Sequence, residues 1–528
     1  MKRCIFIIGV LFFASMVMQA QQVSEKAAKS IASKFMKEHG MGAIAKSQPV
    51  KAFYTHSSSS KTGTAYYVFN AKQNKGFVIV SGDKRTKKIL GYCDNGSFDE
   101  AKIPDNMRWW LSQYVEGISS LNNNNGKDIA FLGSLDSEDM IAESPNVVVE
   151  PLMKTVWGQS APYNLQCPKV GAKYCFTGCT ATAMAQIMYY NRWPKSTSQE
   201  LPGYTNKKSK DTYGSLPPTS FSWKDMKTTY SSDATSISDP ANAAVAKLMR
   251  YCGQSVDMEY GIEASGAYCY SERFVDYFNY STKARTVYRY DYSGSQWKKF
   301  IISELQAKRP VFYDGYSKVS GHAFVCDGYD GKGYFHFNWG WSGYGDGYYL
   351  LSSMTPTGPF KSNYEMDHRI LIGLEPNTMS TNERNSVAKS YSVYIDRDTY
   401  TRSSSNESFE ITVTAYLSNI STMPRTYDLG WGVYKSDGHT LLHSYTALDN
   451  NVYFKGRGTK TMTSTLSFGK DLANGTYYLR PISRESGNAK WSPCHYSGKY
   501  YIEARIRDNK LTLFMRNKDI SRDPNIVW

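Results

Sequence analysis

At 528 residues, with 41% hydrophobic side chains, the chain has room for about three domains of ordinary size, each with a buried core. Its formal charge of +15 comes from 62 lysines and arginines spread along the chain. No helix-turn-helix, zinc-finger or RNA-platform signature accompanies them, which argues for a solvated basic surface and against a nucleic-acid partner. Nine cysteines without a CxxC pair argue against a disulfide framework and a zinc ribbon, and no run of about 18 apolar residues is present to span a membrane.

The chain opens with Lys2-Arg3, an apolar run from Ile5 to Met18 and then Gln19-Ala20, the pattern of a secretory signal over residues 1–20. Cys4 lies inside the apolar run rather than at the cut, so no lipid anchor is expected and the mature protein is read as exported and soluble. Ser24 to His39 has helical spacing, with Ala28, Ile31, Ala32, Phe35 and Met36 on one stripe. Two strands follow, Ala65 to Asn70 and Gly76 to Ser81, then Ile89-Leu90-Gly91-Tyr92. A second helix from Asn106 to Leu121 carries Trp109, Trp110, Tyr114 and Ile118. Residues 21–145 thus read as a small α+β domain, closed by the turn-rich run Asn122 to Gly126 and the polar stretch Asp136 to Asn146.

Residues 146–376 form the next domain. Its centre is Thr177-Gly178-Cys179, followed by an alanine-rich segment in which Ala181, Met184, Ala185 and Met188 share one helix face, with Pro194 marking the end. Thr177 is the expected N-cap, and Cys179 stands at the helix N-terminus, where unpaired N–H groups and the macrodipole favour a thiolate. The competing reading is an inert core thiol, since free cysteine is among the most buried residue types. A reactive thiolate needs a base from elsewhere in the chain. Gly321-His322-Ala323-Phe324-Val325-Cys326-Asp327 and Tyr334 to Trp339 read as a hairpin around Asp330-Gly331. A two-residue loop sets His322 opposite Trp339, a three-residue loop sets it opposite Asn338, and a slip of one residue flips the face. His336 reads as a satisfied structural histidine, Asp327 as a turn cap, and the glycines 343, 345 and 347 as turns rather than a phosphate loop.

Residues 377–528 change character. Short alternating runs around Val393, Ile411, Val433 and Tyr477 sit between turn signals with no helical pattern, so an all-β module is expected, most simply an immunoglobulin-like sandwich.

Cysteine, then histidine, then Asn-Trp is the chain order of papain-like enzymes. The stretches Thr177 to Met188, Val256 to Gly261, Gly321 to Val325, Asn338-Trp339-Gly340-Trp341 and Asp346-Gly347 resemble the streptopain (C10) family of secreted bacterial cysteine proteases. Gly76 to Arg85 and Ile89 to Tyr92 are similar to that family's propeptide. The resemblance spans about residues 23–376 and implies an α+β fold: a papain-like catalytic domain behind a small α+β propeptide. It implies Cys179 as nucleophile, His322 as base and acid, Gln159 as oxyanion-hole donor and Trp339 as shield. Asn338 and Trp339 are the candidates for the group supporting His322, because papain-like enzymes place Asn two residues before the Trp whereas here Asn338 directly precedes it. Ser265, Gly266 and Gly321 resemble the family's substrate-backbone contacts.

The chemistry so implied is peptide hydrolysis by a thiolate–imidazolium pair, without a metal or organic cofactor. The partners are protein or peptide substrates and the chain's own propeptide, which occupies the cleft until cut near Glu143 to Val147; a surface or protein partner is left open for the C-terminal module. Two departures stand out, Cys175 close to the nucleophile and the added β-module. The alternatives are a transglutaminase-like acyltransferase, which the Asn-Trp-Gly-Trp block and the propeptide disfavour, and a non-catalytic secreted binding protein, which the retention of Cys179, His322 and Gln159 disfavours.

Overall fold

The helix from Glu25 to Glu38 (α1) starts where Ser24 caps it, the serine Oγ accepting from the N–H of Ala27 at 3.3 Å. It belongs to a computed structural model that describes residues 22–55, 62–123, 147–206, 209–292, 294–316, 321–351, 367–378, 387–470 and 472–517. The expected signal over 1–20 and nearly all of the expected cut at 143–147 lie outside them. Ala28, Ala32 and Met36 bury the stripe of α1. Four antiparallel strands follow: β1 (Val50–Thr55), β2 (Thr62–Asn70), β3 (Phe77–Ser81) and β4 (Ile89–Cys93). A second helix, α2 (Asp105–Asn123), buries Met107, Trp110, Tyr114 and Ile118.

The next segment supplies α3 (Cys179–Asn191), α4 (Pro240–Ser255), α5 (Ser271–Phe278), β5 (Arg285–Tyr288), α6 (Gly294–Gln306), β6 (Val311–Tyr316), β7 (Gly321–Tyr329), β8 (Tyr334–Asn338), β9 (Gly347–Leu350) and β10 (Asp367–Ile372). None of the described helices is long and apolar enough to cross a membrane.

Two compact units divide this chain, and they do not follow its order. One holds residues up to Gly158 together with Phe324–Thr357; the other holds Gln159–Ala323 and everything from Gly358 on. In the first, the sheet runs β1-β2-β3-β4-β9-β8-β7, so an N-terminal strand and a late hairpin share one sheet, with Tyr92 opposite Tyr348 and Gly91 opposite Tyr349. Its core is aromatic: the Trp110 ring of α2 stands edge-on to Phe337 at 4.9 Å and to Phe324 at 5.7 Å.

The hairpin corrects the sequence reading. Tyr329 pairs with Phe335, Asp330 donates its N–H to the Tyr334 carbonyl at 3.0 Å, and a bulge between Cys326 and Gly328 shifts the ladder so that Val325 faces Asn338. Neither expected register is adopted: the strand position opposite Asn338 lies three residues beyond His322. A loop longer than the Asp-Gly signal implied, plus one bulge, accounts for the offset.

In the second unit α3 packs against α4, and β6 and β5 flank β10. α3 is buried almost all round, from Thr180 to Tyr189, rather than on one face, because its alanines and threonines let neighbours approach from every side. The C-terminal residues form β11 (Lys389–Ile395), β12 (Thr399–Thr401), β13 (Phe409–Ser418), β14 (Arg425–Lys435), β15 (Leu441–Phe454), β16 (Thr459–Phe468), β17 (Gly475–Glu485), β18 (Tyr500–Arg507) and β19 (Lys510–Asn517). β11-β13-β16 make one sheet and β12-β19-β18-β17-β14-β15 the other. Val413, Leu417 and Leu466 of the first and Trp431, Leu479, Ile502 and Leu513 of the second join in one core. Alternation writes that core into the sequence: β16 reads exposed at each threonine and buried at Met462, Ser464, Leu466 and Phe468.

Candidate active site

The N-terminus of α3 is where the second unit concentrates its chemistry. The N-cap is Gly178, not Thr177: Gly178 has φ +84°, and a Cβ built there would lie 2.8 Å from Met258 Sδ and 3.0 Å from the Ser265 carbonyl. The Thr177 hydroxyl bonds instead to that of Thr182 at 2.9 Å. Backbone contacts fix the turn. The Thr177 N–H donates to the Gln159 carbonyl at 3.1 Å, and the Phe176 N–H to the Gly261 carbonyl at 3.1 Å.

Cys179 is half-buried on this turn. Burial pushes its thiol up from the ordinary value, while the N–H of Ala323 and the hydroxyl and N–H of Thr180 pull it back. The Ala323 N–H reaches the Cys179 Sγ at 3.4 Å. His322, half-buried, is the preceding residue of β7, and Gly321 begins the strand. The unit thus brings the segment Gly321-His322-Ala323 to Cys179. Gln159 is buried and is tied to the same turn through its carbonyl.

Ser265 and Gly266 have a structural duty that spacing did not reveal. The Ser265 Oγ donates to the Phe176 carbonyl at 2.8 Å and accepts from the Gly261 N–H at 3.0 Å. Gly266 and Glu259 exchange backbone hydrogen bonds at 3.0 and 3.3 Å. The 259–266 loop is thereby clipped to the residues leading into the Cys179 turn. Cys175 is a buried thiol whose carbonyl accepts from Asn164 Nδ2 at 3.1 Å; all eight described cysteines are unpaired.

Asn338 and Trp339 belong to the first unit. There Asn338 Nδ2 donates to the Thr155 carbonyl at 2.7 Å, and its Oδ1 accepts from the Gly340 N–H at 3.1 Å. Trp339 is fully buried, its N–H held by Asp346 Oδ1 at 2.8 Å and its indole N–H by the Gly345 carbonyl at 3.0 Å. Burial pushes the Asp346 carboxyl up to about 7. His336 is the structural histidine expected, bonded through Nδ1 to Asp327 Oδ1 at 2.6 Å. Burial opposes its charge, but the Asp327 carboxylate outweighs burial and leaves it above the ordinary value. Asp327 is therefore not a turn cap; its other oxygen accepts from the Met153 N–H at 2.8 Å. On the other side of the Trp339 block, Asn106 of α2 donates to the Trp339 carbonyl at 2.7 Å.

Sequence reasoning missed Ala323, Met258 and Asn106. Ala323 acts through its backbone and carries no side-chain signal, whereas Met258 and Asn106 act through contacts far off in sequence.

Residues 157–349 match the Peptidase C10 family, and residues 20–118 match the Spi protease inhibitor family. Over 383 residues the chain is 32% identical to streptopain of Streptococcus pyogenes, covering 67% of this chain and 92% of streptopain. It is 30% identical over 392 residues to the thiol protease/hemagglutinin PrtT of Porphyromonas gingivalis, covering 71% of this chain but 44% of PrtT, so it spans less than half of that relative. A solved fragment of Prevotella intermedia prointerpain A is similar at 29% identity and a TM-score of 0.49, over 62% of this chain and 99% of the fragment.

Proposed function

The chain belongs to the streptopain-like C10 family of cysteine peptidases, and we propose that it is a secreted endopeptidase made as a zymogen, with Cys179 as nucleophile and His322 as base and acid. A C10 peptidase domain behind a Spi-inhibitor-like propeptide domain makes it a cysteine protease with an inhibitor in its own chain. Residues 1–20 are proposed as the signal, 21–145 as propeptide, 146–376 as papain-like catalytic domain and 377–528 as the β-module. The exported state is supported by Lys2-Arg3 and the apolar run behind them. The immunoglobulin-like reading of the β-module is supported by its strand order: β11-β13-β16 correspond to A-B-E and β18-β17-β14-β15 to G-F-C-C′.

The observation that carries the catalytic reading is the 3.4 Å contact from the Ala323 N–H to the Cys179 Sγ, which holds the strand bearing His322 against the N-terminus of α3. Burial works against the bare thiolate, so a neighbouring imidazolium is what the chemistry requires to hold the charge. The His322-activated thiolate attacks the peptide carbonyl. The Cys179 N–H and the Gln159 side chain receive the oxyanion; losing one such donor costs about 10²–10³ in kcat. His322 protonates the departing amine, and water, deprotonated by the same imidazole, releases the acyl group from sulfur. Trp339 is the proposed shield of the pair, Asn338 or Trp339 its support, and Ser265, Gly266 and Gly321 the wall along which substrate backbone lies.

The test is incubation of the purified full chain and its Cys179→Ala, His322→Ala and Gln159→Ala variants with unfolded casein, in reductant, with and without an epoxysuccinyl thiol-protease inhibitor. Wild type processes itself and cleaves casein until inhibited; Cys179→Ala and His322→Ala stay full length and silent; Gln159→Ala retains a small fraction of activity. Equal behaviour of wild type and Cys179→Ala overturns the reading.

A further inference from the structure

The C-terminal β-strands lie in the same compact unit as Gln159–Ala323, and three arginine–aspartate pairs join them. Asp276, on α5, is the deepest. Its carboxylate, 1% exposed, accepts from Arg425 Nη2 at 2.7 Å, from the Ser421 Oγ at 2.8 Å, and from the Thr422 Oγ1 and N–H at 3.0 and 3.3 Å. All three donor residues sit in and beside the loop between β13 and β14. Asp291 does the same further along, taking Arg480 of β17 and the Gly498 N–H at 2.9 Å. Buried carboxylates satisfied by donors from one module are expected of a fixed interface rather than of a tethered binding domain.

A third contact reaches the nucleophile turn. Arg457, between β15 and β16, pairs with Asp257 at 2.7 Å. The Arg457 N–H is held by the Ser421 carbonyl at 2.8 Å, and Asn419 ties that loop to the Lys455 carbonyl at 3.1 Å, so the grip on Asp257 is built on the grip on Asp276. Asp257 has φ +52° and directly precedes Met258. Met258 is fully buried, its sulfur filling the space beside Gly178, and the next residue, Glu259, opens the bridge to Gly266.

We propose that the β-module is a positioning element of the peptidase, in which Arg457 acts through Asp257 and Met258 to hold the turn that presents Cys179. This rests on the reading of Cys179 as nucleophile. Arg457 touches no reacting atom; it is a positioning residue, and small displacements of a nucleophile turn are expensive in rate.

The test compares wild type with Arg457→Ala and Arg457→Lys in the full chain. Peptide hydrolysis after processing gives kcat and KM separately, iodoacetamide alkylation of Cys179 reports the turn without any peptidase assay, and thermal unfolding reports stability. Because Arg457 is half-exposed, Arg457→Ala leaves the unfolding temperature near wild type. It lowers kcat by about tenfold with KM within about twofold, and changes the alkylation rate. Arg457→Lys restores most of both. Unchanged kcat and alkylation rate in Arg457→Ala overturn the proposal, as does a drop in unfolding temperature alone, since the pair would then serve stability only. If wild type hydrolyses no peptide, the protease reading falls, while the alkylation rates still decide whether Arg457 holds the turn.

Discussion

The backbone N–H of Ala323 points at the Sγ of Cys179 from 3.4 Å, across 144 residues of chain. A donor at that place does two things at once. It offsets the burial that pushes the thiol up, and it fixes the start of β7, where His322 sits, against the first turn of α3.

The turn on the other side of Cys179 tolerates no side chain at residue 178. Gly178 combines φ +84° with a Cβ position 2.8 Å from Met258 Sδ and 3.0 Å from a backbone carbonyl. Gly178→Ala is expected to cost about 1–3 kcal/mol of stability from the left-handed backbone and to lower kcat/KM by more than tenfold as Met258 and the turn shift. Thermal unfolding together with peptide kinetics checks it; activity within twofold of wild type would count against the turn's rigidity mattering.

The inhibitor-like domain holds the Trp339 block through Asn106, whose Nδ2 donates to the Trp339 carbonyl at 2.7 Å, and through the tilted ring of Trp110, 6.4 Å from that of Trp339. Asn106→Ala removes a buried donor at a cost of about 1–3 kcal/mol. The zymogen is therefore expected to process itself faster than wild type, and in a Cys179→Ala background its N-terminal domain is expected to be degraded sooner by added trypsin. Equal time courses on both assays would show that the hold lies elsewhere.

The same unit carries a pH dependence with a definite sign. Burial raises Asp346 from the ordinary 3.8 to about 7, so the folded state binds that proton more tightly than the unfolded chain does. Its contribution is full below about pH 4 and is lost as pH climbs through about 7. His336, raised by Asp327 against burial, acts in the same direction, its contribution full below its unfolded value and lost as pH passes its raised folded value. Unfolding temperature is expected to fall between pH 4 and 7.5 in wild type. Asp346→Asn, which keeps an oxygen for the Trp339 N–H, flattens most of that fall. A variant curve parallel to wild type would assign the dependence to other groups.

The elements that carry the candidate site were legible in the chain. Small residues flanking one cysteine ahead of an alanine-rich helical pattern pointed to α3, and a lone histidine at the head of a β pattern pointed to β7, because helix and strand periodicities are local properties of the chain. The β-module was legible for the same reason, its buried and exposed positions alternating along β13 and β16. The hairpin register was not, because the two-residue period is blind to a bulge, and the bulge between Cys326 and Gly328 moved Asn338 opposite Val325. Thr177 was mistaken for the cap because its capping chemistry is generic, while the pressure for glycine at 178 comes from Met258 and Ser265, far along the chain.

Local sequence was enough to place Cys179 at a helix start and His322 at a strand start, since helix and strand patterns depend on neighbours within a few positions. What meets across long separations emerged from the folded chain alone: the Ala323 N–H on the Cys179 sulfur, Asn106 on the Trp339 carbonyl, and the β-module's arginines on Asp257 and Asp276. Such contacts are made by backbone groups and single polar atoms, whose partners are chosen by packing of whole elements and leave no period in the sequence.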